Sequence, residues 1–268
     1  MSHGPRRLLL ALVAGVSLTA MTACAGPHQD RTARTAKDLE VSRSPAPAAL
    51  TSQGARHALL TMAYLGSQWT EVRDVPGAYD DLLQATVDRR QFYLNDAGAG
   101  ACQQLLDRLS RNRLVAAAPD GSAHAVAVFA SDDGARLRYE VGAYPADRLA
   151  ADRTWLAALP DRCDQFEATR PDGSRESVQV TALDVPKTGG TRQALQVVAR
   201  GTTNGVPFTL SLDVALVTSE SSAISVINGG LGGASAVATE QAVRLGGERL
   251  ATVLAGGTPP ASPDGLFD

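Results

Sequence analysis

Asn204-Gly205 lies between two long alternating runs, and this arrangement constrains the fold more than any other feature of the chain. Asn-Gly readily supplies the positive φ angles that a two-residue hairpin turn requires. Before it, residues 192–200 place Ala194, Gln196 and Val198 on one face and Leu195, Val197 and Ala199 on the other. After it, Val206, Phe208, Leu210, Leu212, Val214 and Leu216 alternate with Pro207, Thr209, Ser211 and Asp213. A period of two sustained over this length reads as a half-buried antiparallel hairpin. Strand patterns also cover 123–130, 136–144, 176–184 and 223–227, with Asp132-Asp133-Gly134 turning the first pair. A sheet of about five or six strands, with the Asn204-Gly205 hairpin central, is the expectation.

Helical periods separate these strands. Residues 54–66 carry Leu59, Met62, Ala63 and Leu65 near one side, and residues 80–94 mix helix and loop. Residues 99–112 align Cys102, Leu105, Leu106 and Leu109 on one stripe. A helix opens at Pro145 and is expected to stop at Pro160; a last one runs over about 235–255. The sum is an α+β fold, helices packed on a mainly antiparallel sheet.

The N-terminus reads as an export signal. Arg6 and Arg7 precede a thirteen-residue apolar run over 8–20, too short for a spanning helix, which needs about 20 residues. Met21-Thr22-Ala23-Cys24 then looks like a lipobox, so cleavage before Cys24 and lipidation of Cys24 are expected. An ordinary secretory signal with an incidental cysteine is the alternative, and either the general or the twin-arginine route would serve. Residues 1–23 are thus the signal peptide, 24–52 a polar flexible tether, 53–256 the folded domain and 257–268 a disordered tail. The protein is expected on the extracytoplasmic face of the cell membrane, held by its lipid.

That compartment is oxidising. With Cys24 lipidated, Cys102 and Cys163 remain and are expected to pair; two buried free thiols are the alternative. Removing residues 1–23 takes away Arg6 and Arg7 and no acid, which leaves a net charge of −5. With Lys37 and Lys187 the only lysines and no basic cluster after the signal, nucleic acid is not an expected partner.

The helix that contains Cys102, the strand Arg138-Tyr139-Glu140-Val141-Gly142-Ala143-Tyr144-Pro145, and the block from Pro145 through Trp155 to Cys163 follow one another in an order completed by the 223–227 strand and the final helix. Over roughly residues 55–255 this resembles the PknH-like extracellular sensor domain family of actinobacterial receptor kinases and lipoproteins. The resemblance implies an exported α+β domain with a curved sheet and a cleft that binds a small ligand or a cell-envelope component. Better-known members have two disulfides, whereas this chain forms one at most once Cys24 is lipidated. No kinase domain stands in this sequence, so signalling in cis is not expected.

No catalytic motif is spelled out. GxSxG, HExxH and CxxCH are absent, and His28, His57 and His124 read as solvated histidines. Asp80-Asp81 and Asp132-Asp133 suit caps and turns, and the glycines from Gly229 to Gly233 before Ser235 suit a strand-to-helix corner. No catalytic residue, metal site or cofactor is expected. If a small-molecule site exists, Trp69, Tyr139, Tyr144 and Phe208 are the candidate contacts, because aromatic rings offer contact area at little entropic cost. The function expected is a non-enzymatic, lipid-anchored sensing or ligand-binding module. Lipid carrier and protein scaffold in envelope assembly are the alternatives, with a hydrolase a remote one.

Overall fold

The computed structural model describes residues 49–73, 79–92 and 96–261. The expected signal peptide, the lipidation site at Cys24 and nearly all of the expected tether lie outside the described residues.

The described chain builds an open antiparallel sheet of nine strands. In chain order these are β1 (Trp69–Val72), β2 (Thr86–Val87), β3 (His124–Ser131), β4 (Arg136–Ala143), β5 (Gln165–Thr169), β6 (Arg175–Ala182), β7 (Thr191–Thr203), β8 (Val206–Ser219) and β9 (Ser222–Gly230). Across the sheet the order is β1-β3-β4-β9-β8-β7-β6-β5-β2. The α+β class is as expected, and the Asn204-Gly205 hairpin joins two of the central strands with Thr203 opposite Val206. The strand number is not as expected. The additional strands β1, β2 and β5 have four, two and five residues, too few for alternation to declare itself.

Helices cover opposite faces at opposite ends of this sheet. Helices α2 (Asp96–Leu109) and α3 (Ala146–Arg162) pack on one face. Their Leu105, Leu106, Leu149, Leu156 and Leu159 meet Phe166, Val178, Leu195, Val197, Leu210 and Leu212. Helices α1 (Ser52–His57) and α4 (Ala236–Leu254) pack on the other face. There Ala55, Ala58, Val243 and Leu250 meet Phe129, Leu137, Tyr139, Val141, Ala215 and Val226. Strand β8 serves both cores. Leu210, Leu212, Val214 and Leu216 point to the first, Ala215 and Val217 to the second.

Two helices depart from their sequence patterns. The segment 54–66 is not one helix: α1 ends at His57 and a single 3₁₀ turn follows at Met62–Tyr64. The residues buried there are Leu60, Tyr64 and Leu65, whereas Met62 is 44% exposed, so core contact rather than helical period sets the path. Helix α3 runs through Pro160 to Arg162. In the last turn a proline forfeits only one backbone bond, and the apolar stripe of Leu149, Leu156 and Leu159 holds the helix in place.

The C-terminal segment is tied down as far as it is described, so the first part of the expected tail is not frayed. Arg249, buried on α4, donates to the carbonyl of His57 at 2.7 Å and to that of Pro260. The Tyr64 hydroxyl donates to the same Pro260 carbonyl at 2.9 Å, and Thr61 Oγ1 to Ala261 O at 2.9 Å. A buried guanidinium is costly without acceptors, and α1 and the returning chain each supply one through His57 O and Pro260 O.

Cys102 and Cys163 form the expected disulfide, with Cα atoms 5.6 Å apart and a sequence separation of 61. It joins α2 to the residue that closes α3. By the chain-entropy model, replacing both with serine should lower unfolding free energy by about 4 kcal/mol, read as a lower urea midpoint. An unchanged midpoint would mean that the crosslink adds nothing to stability.

Candidate functional site

Where the cover of α2 and α3 ends, the same face of β3 and β4 carries polar side chains. Register explains which ones. Val126 lies opposite Glu140, Val128 opposite Arg138 and His124 opposite Gly142, so all share one face. Leu137, Tyr139 and Val141 take the other face, into the α1–α4 core. The segment 113–122 forms a wall over this floor. Together they enclose a cleft of about 380 Å³, lined by Arg113, Asp120, Ser122, His124, Arg138 and Glu140 among others.

Glu140 organises the floor. It is only 7% exposed. His124 Nε2 lies 2.8 Å from its Oε1, and the Tyr144 hydroxyl donates to the same oxygen at 3.0 Å. Arg138 Nη2 donates to Oε2 at 3.4 Å. An ionised carboxylate has no hydrogen to give, so His124 Nε2 carries the proton in this contact. Gly142 makes the arrangement possible: a Cβ there would stand 2.8 Å from the Tyr144 ring and hydroxyl. Burial first, and then the neighbouring Glu140 charge, push the Tyr144 phenol well above its ordinary range, so it stays a neutral donor.

The four aromatics named from sequence do not form one site. Tyr144 lies beneath the cleft with its hydroxyl on Glu140. Trp69 and Tyr139 are buried in the opposite core, where the Tyr139 hydroxyl donates to Ala58 O at 3.3 Å. Phe208 belongs to the α2–α3 core, with the Arg170 guanidinium 5.8 Å from its ring centre. The strand period that made these residues visible also sends Tyr139 away from Glu140. His124 reads as a solvated histidine, and Arg138 and Glu140 as the charged positions of an alternating strand; the covering 113–122 wall comes from a segment that no alternation links to β4. The one signal available was the charged face Arg136-Arg138-Glu140 on an otherwise apolar strand.

The other sequence candidates are structural. Gly229 has φ +142, and a Cβ there would come within 2.0 Å of the Ser211 carbonyl oxygen, so the corner requires glycine. Ser235 caps α4 through Ala238 N at 3.3 Å. Asn228 donates to Thr239 Oγ1, which donates to buried Asp213, so a hydrogen-bonded chain links β9, α4 and β8. The Ser122 hydroxyl donates to Pro119 O at 2.6 Å. Among the described residues no three His, Cys, Asp or Glu side chains converge as a metal site. No described helix is long and apolar enough to cross a membrane.

No family model and no curated protein matches the chain. Among solved structures it is similar to the crystal structure of the extracellular domain of PknH from Mycobacterium tuberculosis. That likeness covers 75% of this chain and 97% of that one, at 12% identity and a TM-score of 0.42. It assigns this chain neither a family nor a ligand.

Two carboxylates give opposite expectations. Glu140 has three donors facing it, so Glu140→Gln should cost about 2 kcal/mol at neutral pH by chemical unfolding. A neutral effect would mean that the cleft floor is held by other contacts. Glu176 on β6 is 1% exposed, and neither of its oxygens has a hydrogen-bond partner. Burial pushes its pKa up to about 7, with Arg170 offsetting part and Asp172 adding to it. Below the ordinary carboxylate range the group is protonated in both states and costs nothing. As pH rises toward 7 the unfolded chain releases that proton and the folded one resists, so stability falls across this window and levels off above it. Glu176→Gln should therefore match the parent at about pH 4 and exceed it by about 2 kcal/mol at about pH 8. A pH-independent difference between the two would remove the assignment.

Proposed function

We infer that this protein is an extracytoplasmic ligand-binding module of the sensor type, held at the cell membrane by a lipid on Cys24. The observation that carries the reading is the polar, solvent-open cleft between the 113–122 segment and β3–β4, with His124, Arg138 and Glu140 fixed in its floor. A lipid carrier calls for a deep apolar cavity; the wall of this cleft is charged and hydrogen-bonding. The export signal, the paired Cys102 and Cys163 and the absence of a catalytic motif support an exported, non-catalytic role. The cleft residues orient a small polar ligand rather than transform it. The ring of His124 stands at the rim with its Nε2 engaged on Glu140, and its other nitrogen can meet a ligand.

Native mass spectrometry of the full chain, incubated with cell-envelope extract and compared with His124→Ala, tests this. A reproducible small-molecule adduct that falls about tenfold in the variant, roughly 1.4 kcal/mol, is the expected result. No adduct, together with specific capture of one protein partner, would replace the reading with a scaffold.

A further inference from the structure

Next to the cleft, and sharing Arg113 with it, lies a second concavity of about 480 Å³ along the end of α2. Its lining includes Arg89, Arg108, Arg111 and Arg113, against a single acid, Asp107. These arginines are not equivalent. Arg108 is neutralised in the fold: it pairs with buried Asp152 at 2.8 Å, donates to Leu114 O at 2.7 Å and lies 4.2 Å from the centre of the Trp155 ring. Asp107 accepts from Gln103 Nε2 at 2.9 Å. Arg89, Arg111 and Arg113 are exposed, and among the described residues none of them has an ion pair.

The turn after α2 fixes two of the three. Asn112 has φ 52, and its side chain donates to Asp80 Oδ2 at 2.8 Å. The backbone amides of Arg111 and Arg113 both return to Arg108 O, at 3.2 and 2.9 Å. The reversal thus puts the residues on both sides of Asn112 onto one groove. Charge complementarity to the helix C-terminus accounts for Arg108 but not for Arg89, which comes from a separate segment, nor for Arg113 beyond the turn. Three like charges around one concavity in an acidic protein leave a local field that a bound anion relieves.

We propose that this groove binds the phosphate group of a phosphorylated polyol, with Arg111 and Arg113 as its principal contacts and Arg89 closing the far side. Guanidinium forks match phosphate oxygens two at a time, which favours phosphate over a compact monovalent anion. The concavity exceeds a bare phosphate, and Arg113 leads into the His124–Glu140 cleft, where hydroxyl groups find both a donor and an acceptor. The proposal rests on the binding reading above and names its ligand class. The ligand is either a free sugar or polyol phosphate or a phospholipid headgroup.

The test uses the detergent-solubilised full chain, titrated with inorganic phosphate, glycerol 3-phosphate and glycerol, alongside Arg111→Ala/Arg113→Ala and the single variant Arg89→Gln. Saturable binding of glycerol 3-phosphate, at least about tenfold weaker in the double variant at an unchanged melting temperature, is the expected result. If the double variant melts early, the same loss in Arg89→Gln carries the test. Glycerol is expected not to bind. Arginine-dependent preference for micelles doped with phosphatidylglycerol over phosphatidylcholine assigns the headgroup source. Binding of the soluble phosphates without that preference assigns the free compound. No saturable binding of either phosphate probe or of the doped micelles, or equal binding by parent and variants, overturns the proposal. A phosphate-free adduct from envelope extract, retained equally by parent and double variant, also overturns it while leaving the binding reading standing.

Discussion

Strand β8 is the constraint on which the rest depends. It pairs with β7 from Val206 to Thr218 and with β9 from Ser211 to Ser219. From Asp213 to Thr218 both of its faces are buried. A strand in that position is largely apolar on both sides: alternation gives way to the continuous run Val214-Ala215-Leu216-Val217, and buried Asp213 just before it accepts from Thr239. The offset of the two helical layers follows. Helices α2 and α3 lean from β8 toward β6 and β5 on one face, while α4 and α1 lean toward β4 and β3 on the other.

That offset produces the cleft. The α2–α3 layer does not extend over β3 and β4, so among the described residues the 113–122 segment walls the face those strands present there. Polar side chains can occupy it because water reaches them, yet Glu140 is enclosed enough to need its three donors. Under α4, a local chain of hydrogen bonds runs from Asn228 through Thr239 to Asp213. Glu176 differs in kind: both oxygens of its enclosed carboxyl group lack a hydrogen-bond partner. It lies beside β7, where Gly201 leaves so little space that a Cβ would sit 3.1 Å from the Glu176 Cβ.

Period and turn chemistry made the central hairpin, the β3–β4 pair, α2 and α4 legible from residues alone, and the cysteine count in an exported chain did the same for the Cys102–Cys163 bridge. These elements are long, or are marked by residues with one strong conformational preference. The edge strands were hidden because two to five residues carry no measurable period. The 54–66 segment misled because its apolar residues fit a helix, while the contacts that hold it are with β3 and α4, both distant in the chain. The cleft was least visible. Arg138 and Glu140 fit the wet face of an amphipathic strand, and only the distant 113–122 segment makes that face concave. Arg111 and Arg113 likewise read as a basic helix end until the reversal at Asn112 is seen to place both on one groove.

The Leu50 side chain and α1 belong to the core on the α4 face of the sheet, and the returning residues 258–261 are fastened there as well. Both ends of the described domain therefore emerge behind the sheet, as seen from the cleft. Force transmitted along the chain would load α1 and α4 against each other, through the Arg249 contact to His57, before it reached the strands that carry His124 and Glu140.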